Sequence, residues 1–237
     1  MSNKIGFILV NPQLGENIGS CARALKNFGF SKLDLVKPRD GWPNTKARMT
    51  SVGAYDIIKK SKIFKNTQDS IKQYDLIFST SARKRDINKK HISISNFSKI
   101  LKKNKKLKIG IMFGPEDSGL SNQDLSYSNY VIQIPTSKKF SSINLSHSVI
   151  IICYEIFNLF NSKKFKKDTK LLEVSSKKKT FMIIKHLKNL LEKKNFFKNK
   201  EKQSTMLINF NNLFYRMELS DKETRILASI ISTLNKR

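Results

Sequence analysis

Cysteine is almost absent from this 237-residue chain: Cys21 and Cys153 are the only two. Neither stands in a CxxC or a mixed Cys/His cluster, so a zinc site is not indicated. Both keep helical, apolar company and read as small buried hydrophobes. The three histidines, His91, His147 and His186, are scattered and suggest no metal. No GxxxxGK[ST] stretch occurs, no GxSxG elbow occurs, and Gly15-x-x-x-Gly19 lacks the spacing of a dinucleotide fingerprint. No window holds about 18 uninterrupted apolar residues, which excludes a membrane-spanning helix. The first residues, MSNKIGFILV, lead directly into a strand pattern with no basic segment and cleavage site, so no secretory signal is read. A cytoplasmic protein with reduced thiols is expected. Acidic residues are scarce as well: 18 Asp+Glu stand against 46 Lys+Arg, a formal charge of +28. That imbalance calls for a polyanion, either nucleic acid or an acidic membrane surface. Part of the lysine excess is also what A- and T-rich codons would produce.

The length fits one domain of about 150 residues plus a smaller one, and 39% hydrophobic residues suffice for a core. Ile5–Val10 is a continuous apolar run, the pattern of a strand buried on both faces. A helix is predicted from Glu16 to Phe28, stopped by Gly29. Strands are expected at 33–36, 74–80, 107–113 and 130–134. Lys37 to Thr50 reads as loop, with a short helix or turn at 50–54. In that loop Trp42 is either a core plug or a base-stacking surface, and packing is the better reading. A helix is expected over 92–103, and Ser121 with Asp124 opens another in capping-box fashion. Strands alternating with helices imply a parallel α/β sheet, and such sheets bind ligands beyond their strands' carboxyl ends. The polar clusters fall at those ends: 11–17, 80–83, 114–116 and 134–144.

From Gln133 to Phe157 the chain reads QIPTSKKFSSINLSHSVIIICYEIF. A strand ends at Pro135, a polar loop follows, and Ser141-Ser142-Ile143-Asn144 opens a helix with Ser141 or Ser142 as its N-cap. Free N–H groups at that mouth suit an anionic or strongly polar ligand. The run Val149–Ile152 marks the helix as buried on all sides. Residues 161–176 read as a charged linker. Residues 177–237 read as a basic helical module of three helices, the last opened by Ser220 and Glu223. From 162 onward 20 basic side chains face 7 acidic ones, giving +13.

Three clusters carry the chemistry. The first runs Asn17-Ile18-Gly19-Ser20-Cys21-Ala22-Arg23 through Gly29, and its six-residue spacing is expected to set Asn17 and Arg23 nearly on one side of a helix. The second is Ile111 to Leu120 (IMFGPEDSGL), and the third is Ser141 to Ser146 (SSINLS). In order and spacing these resemble the three motifs of the SpoU branch of the knotted (SPOUT) RNA methyltransferases. The resemblance is close from Ile5 to about Phe160. The tail, LINFNNLFYRMELSDKETRILASIISTL, resembles the helical extension of the bacterial tRNA 2′-O-methyltransferases acting on nucleotide 32, as does Thr80-Ser81-Ala82-Arg83.

The resemblance implies a fold, a cofactor and roles. The fold would be an α/β sheet with a deep trefoil knot near its C-terminal end, an exception to the usual absence of knots. S-adenosylmethionine would be held, largely by backbone, at Thr80, Ser81, Ala82, Gly114, Ile134, Ser141, Ser142 and Ile143. The enzyme would be a homodimer whose site is completed by the neighbouring subunit. Arg23, Asn17, Glu116, Asn144 and Ser142 match the polar active-site positions. An arginine at the Arg23 position has been taken as the base, but a guanidinium holds its proton to a pKa above about 12. A phosphate clamp and oxyanion stabiliser is the physically better role, with a phosphate or water taking the proton. Asn17 and Asn144 would orient Arg23 or the ribose. Glu116 is either a base or a structural acceptor of backbone N–H groups. The connection Asn11-Pro12-Gln13 departs from the pattern, being longer than in some members. The expected activity is 2′-O-methylation of cytidine or uridine 32 in the tRNA anticodon loop. The alternatives are another tRNA site, ribosomal RNA, or an RNA-binding factor that has kept the fold without catalysis.

Overall fold

The apolar run at the start of the chain forms strand β1 (Ile5–Val10), buried at every position. Its alternation feeds two cores at once: Phe7 and Leu9 point into one cluster, Ile8 and Val10 into the other. A strand can be apolar throughout only when both sheet faces are covered. The computed structural model, which describes residues 4–82, 88–137, 139–161, 174–197 and 200–234, shows how that cover is built. Arg83 and 162–173, most of the stretch read as a linker, lie outside the described residues.

Helix α1 (Gly15–Asn27) follows β1, and Gly29 ends it at φ +75°. Strand β2 (Leu33–Val36) pairs with β1. The segment read as loop contains α2 (Thr45–Thr50), earlier than the turn expected at 50–54. Asn44 starts it by accepting from the Ala47 N–H, and Ala47 is buried. Gly19 lets α2 approach α1, because a Cβ there would meet the Ala47 carbonyl oxygen at 2.5 Å. Trp42 packs against the core, as expected. Helix α3 (Tyr55–Lys60), strand β3 (Lys62–Phe64) and helix α4 (Thr67–Ile71) come next, and none is legible in the sequence. Each is six residues or fewer, too short for periodicity to register. Then come β4 (Leu76–Thr80), β5 (Lys90–Ser93), α5 (Ile94–Lys103), β6 (Ile109–Phe113), α6 (Asn122–Ser126), β7 (Tyr130–Gln133) and α7 (Leu145–Asn161). The Ser121–Asp124 capping box is present at the start of α6.

All strand pairs are parallel, in the order β3-β2-β1-β6-β4-β7-β5. The fold is α/β. One sheet face is covered by α1, α3, α5 and α7, through Ile18, Leu25, Phe97, Val149 and Ile156 among others. The other is covered by α4, α6 and the three C-terminal helices, α8 (Lys177–Lys193), α9 (Lys200–Arg216) and α10 (Asp221–Leu234). Ile183, Ile184, Phe214, Tyr215 and Ile231 therefore share a core with Ile8 and Met112. On α9 Asn211, Asn212, Phe214 and Tyr215 are buried, while Leu213, and Met217 just past the helix end, are exposed.

The second face holds polar anchors. Tyr74 lies across the sheet and donates to Asp34 at 2.6 Å. Gly6 and Gly110 make room for it, since a Cβ at Gly6 would meet the phenol oxygen at 1.9 Å. Lys89 donates to the carbonyls of Ser126 and Ser128, both at 2.7 Å. Lys177 is 2% exposed and lies over the Tyr215 ring. Burial pushes the Lys89 amine down to about 6 and the Lys177 amine to about 7. Unfolded lysines hold their protons to about 10.4. Between those limits the unfolded chain binds more protons, so stability rises with pH. The unfolding midpoint should climb between pH 6 and 9 in calorimetry, and Lys177→Met should flatten the climb.

Candidate active site

Three strand ends and one helix mouth enclose a cavity of ≈ 150 Å³. Strand β4 runs out into Thr80-Ser81-Ala82, β6 into Gly114–Leu120, β7 into Ile134, and the last wall is Ser141–Ile143 with Leu145 and Ser148 of α7. Apolar side chains (Phe113, Leu120, Ile134, Leu145) and serine hydroxyls share the lining. The strand ends are tied to each other. The Ser81 N–H donates to the Ile132 carbonyl at 3.1 Å, and the Thr80 hydroxyl to that of Met112 at 3.2 Å. The loop after β6 turns back so tightly that a Cβ on Gly114 would meet the Leu120 nitrogen at 2.2 Å. Only glycine fits there. Gly119 closes the turn at φ +68°, its N–H reaching the Pro115 carbonyl at 3.0 Å.

Beside the cavity a chain of hydrogen bonds joins three distant segments. Glu116 accepts from the backbone N–H of Gln13 at 2.8 Å and of Leu14 at 3.3 Å, and from the Asn17 amide at 2.7 Å. The Asn17 carbonyl oxygen accepts in turn from the Asn144 amide at 3.2 Å. The Asn144 oxygen accepts from the Ser146 N–H and hydroxyl at 2.9 and 2.8 Å. Asn144 is thus the cap of α7. The expectation that Ser141 or Ser142 caps this helix is corrected: the helix begins later, at Leu145, and both serines stay in irregular backbone on the cavity wall. At the rim, hydrogen bonds from Gln13 and Ser118 hold the Asp117 carboxyl below its usual range.

Thr80, Ser81, Ala82, Gly114, Ile134, Ser141, Ser142 and Ile143 all line this one cavity, together with Glu116. Asn17 and Asn144 adjoin it through Glu116. Arg23 does not join them. Asn17 is 8% exposed and turned inward, whereas Arg23 is exposed and makes no ion pair among the described residues. The expected common side is wrong because about 100° per residue sets positions six apart roughly 120° from alignment. Three participants escape the sequence reading. Ser148 stands one helical turn after Asn144, a spacing that is legible. The Gln13 and Leu14 N–H groups belong to backbone, which no residue type announces.

Helix α7 is not buried on all sides. Ile150, Tyr154 and Phe157 are 38%, 53% and 42% exposed and form one outward stripe. Phe28, just past the end of α1, packs edge-on against Tyr154 and Phe157. His147 is also exposed. An apolar run cannot reveal which of its sides is left uncovered.

A model of the SpoU rRNA Methylase family matches residues 4–154. The tRNA (cytidine-2'-O-)-methyltransferase TrmJ of Methanocaldococcus jannaschii is 35% identical over 229 residues, covering 95% of this chain and 97% of that protein. The tRNA (cytidine/uridine-2'-O-)-methyltransferase TrmJ of Photorhabdus laumondii is 29% identical, covering 100% and 98%. The crystal structure of TrmJ from Z. mobilis ZM4 superposes with a TM-score of 0.87 at 31% identity, covering 97% of this chain and 98% of that one. The hydrogen-bond chain has its own test. Glu116→Ala frees three donors at once and should lower unfolding stability by about 2–3 kcal/mol in urea titrations. Glu116→Gln, which keeps one acceptor oxygen, should recover part of that loss.

Proposed function

The chain belongs to the SpoU methylase family, and we propose that it transfers a methyl group from S-adenosylmethionine to a ribose 2′-hydroxyl of tRNA. The favoured target is cytidine or uridine 32 of the anticodon loop, and the cell compartment is the cytoplasm. The observation that carries this reading is the convergence of three strand ends and the mouth of α7 on one cavity. Its apolar lining suits a nucleoside base, and its serines and backbone groups suit ribose and amino-acid polar atoms. Thr80 to Ala82, Gly114, Ile134 and Ser141 to Ile143 would hold the cofactor. When bound, S-adenosylmethionine supplies an electrophilic sulfonium methyl. The knot of this family's fold would bring the 114–120 loop and the 134–144 segment together.

The remaining work falls to the chain's own side chains. A ribose hydroxyl is a poor nucleophile at neutral pH, so its developing charge needs a donor and its proton an acceptor. Both Glu116 oxygens are already accepting hydrogen bonds, which favours a positioning role for it over that of a base. Glu116 fixes Asn17, and Asn17 fixes Asn144. Arg23 is free to clamp a substrate phosphate bidentately and to stabilise the forming oxyanion. A phosphate or water then takes the proton. Ser142, exposed on the wall, faces the incoming RNA.

Arg23 stands away from its own chain's cavity, and this supports a shared site in a homodimer. The helix whose amino end walls the cavity, α7, carries the outward stripe of Ile150, Tyr154 and Phe157. A second copy docked on that stripe would lie beside the cavity and bring its own Arg23 near. The basic helices at 177–237 would serve as a module that seats RNA.

Mass mapping of ribose methylation in bulk tRNA, after adding the protein and S-adenosylmethionine, should reveal a new mark at nucleotide 32. A mark confined to ribosomal RNA, or none, would sink the reading. Arg23→Ala should keep cofactor affinity in calorimetry and lose about 10²–10³-fold in methyl transfer. Mixing it with Gly114→Ala should restore activity, because one hybrid site then holds both intact parts. Phe157→Asp should shift sedimentation from dimer to monomer.

A further inference from the structure

Opposite the cavity, at the amino edge of the sheet, four neighbouring strands each begin at a lysine. Lys108 precedes β6, Lys4 precedes β1, Lys32 precedes β2 and Lys62 opens β3. Register fixes their neighbourhood. Ile5 pairs with Ile109, which sets Lys4 beside Lys108. Phe7 pairs with Leu33, which sets Lys32 beside Gly6, and Lys62 pairs with Asp34. The row runs obliquely because the strand starts are staggered. Adjacent strands lie about 4.8 Å apart and each residue rises about 3.3 Å, so Lys4 and Lys108 stand side by side and the later steps, offset by two residues, are roughly 8 Å, a track of positive charge at the spacing of neighbouring phosphates.

Parity sharpens the track. Leu33, Ile109 and Ile5 point into the first core, so Lys32 and Lys108, one residue earlier, belong to the opposite face. Lys62 shares that face with its register partner Asp34, which bonds Tyr74 there. Lys32 lies 4.4 Å over the Tyr74 ring; burial pushes its amine down, the Asp34 carboxylate works against that, and the charges of Lys62 and Lys108 add to it. Among the described residues none of the four forms an ion pair. The two carboxylates beside them make no ion pair with them among the described residues and are turned to other donors. Asp34 is buried and accepts from Tyr74 and Gln73, and Asp75 accepts from the Lys108 backbone N–H. Like charges side by side on a sheet repel, and an anionic chain laid along them turns that repulsion into attraction.

We propose that this amino-edge ridge is a second RNA-binding surface, which grips the phosphate backbone of a tRNA arm remote from the modified nucleotide. RNA as the polyanion rests on the enzymatic reading above. Lys4 and Lys108, at the amino end of the ridge, stand about 16 Å from the cavity end of β6 along its five residues, and the row climbs from there toward Lys62, which is level by register with Met112. A hairpin whose loop enters at the carboxyl ends of the strands carries its stem away from the sheet and so does not lie along the ridge. A folded tRNA has further arms that do.

The test compares full-length tRNA with an isolated anticodon stem-loop, by fluorescence anisotropy across a salt series. The variant is Lys4→Gln/Lys62→Gln/Lys108→Gln, three exposed positions. Its charge-matched control is Lys65→Gln/Lys99→Gln/Lys185→Gln, scattered exposed lysines off the ridge. For full-length tRNA the ridge variant should flatten the slope of log affinity against log salt by roughly 2–3, about 0.9 for each phosphate that is no longer neutralised. Its stem-loop affinity and its methyl transfer to the stem-loop should stay as in the unaltered protein, and its melting curve should not move. The control should leave the full-length slope nearly intact. An unchanged slope in the ridge variant overturns the proposal, as do equal losses in the two variants. Ridge-dependent binding to phosphatidylglycerol vesicles that tRNA does not displace also overturns it. Failure of the enzymatic reading is separate, since the unaltered protein would then not methylate the stem-loop.

Discussion

One carboxylate gathers the site. Glu116 sits on the turn after β6, and its two oxygens hold the backbone of the β1–α1 connection and the amide of Asn17. Hydrogen bonds to a charged acceptor contribute about 1.5–3 kcal/mol each, and here three of them converge on one side chain. Without that tie the 114–120 turn, the 11–14 connection and the cap of α7 would be three independent loops. With it, Asn17 is fixed, Asn144 is fixed through Asn17, and α7 starts where Asn144 caps it. The cavity is the space these loops leave between them.

The opposite face of the sheet solves a different problem. An all-parallel sheet needs cover on both sides, and the C-terminal helices supply much of it through Ile183, Ile184, Phe214, Tyr215 and Ile231. Their docking is polar as well as apolar. The Asn129 side chain bonds the backbone of Ile77 in β4 and the carbonyl of Tyr215 in α9. Lys89, a few residues beyond the cavity-lining end of β4, bonds the carbonyls of Ser126 and Ser128 after α6. The helices that carry much of the basic charge thus rest on the same strands whose far ends shape the cavity.

Legibility in the sequence followed the range of the interaction. Strands buried on both faces were visible as apolar runs, and five of the seven were placed to within two residues. Both capping boxes were visible because Ser121 with Asp124 and Ser220 with Glu223 are local pairs. Strand β3 at a sheet edge, with Lys62 and Ile63 exposed, offered no such run. Strand β5 (KHIS), at the other edge, offered none either. Helices α2, α3 and α4 were hidden by their brevity.

By itself, the sequence determined that an α/β sheet forms, where its polar clusters punctuate the strands, and which short motifs stand at those points. These follow from local alternation and from the turn chemistry of glycine, proline and serine. Tertiary structure decided which loop Glu116 holds, that Asn17 and Arg23 part company around α1, and that one stripe of α7 faces outward. It also decided that four lysines distant in sequence stand in one row. Those outcomes depend on strand register and helix rotation, which are set by packing between segments about a hundred residues apart, and no local pattern encodes them.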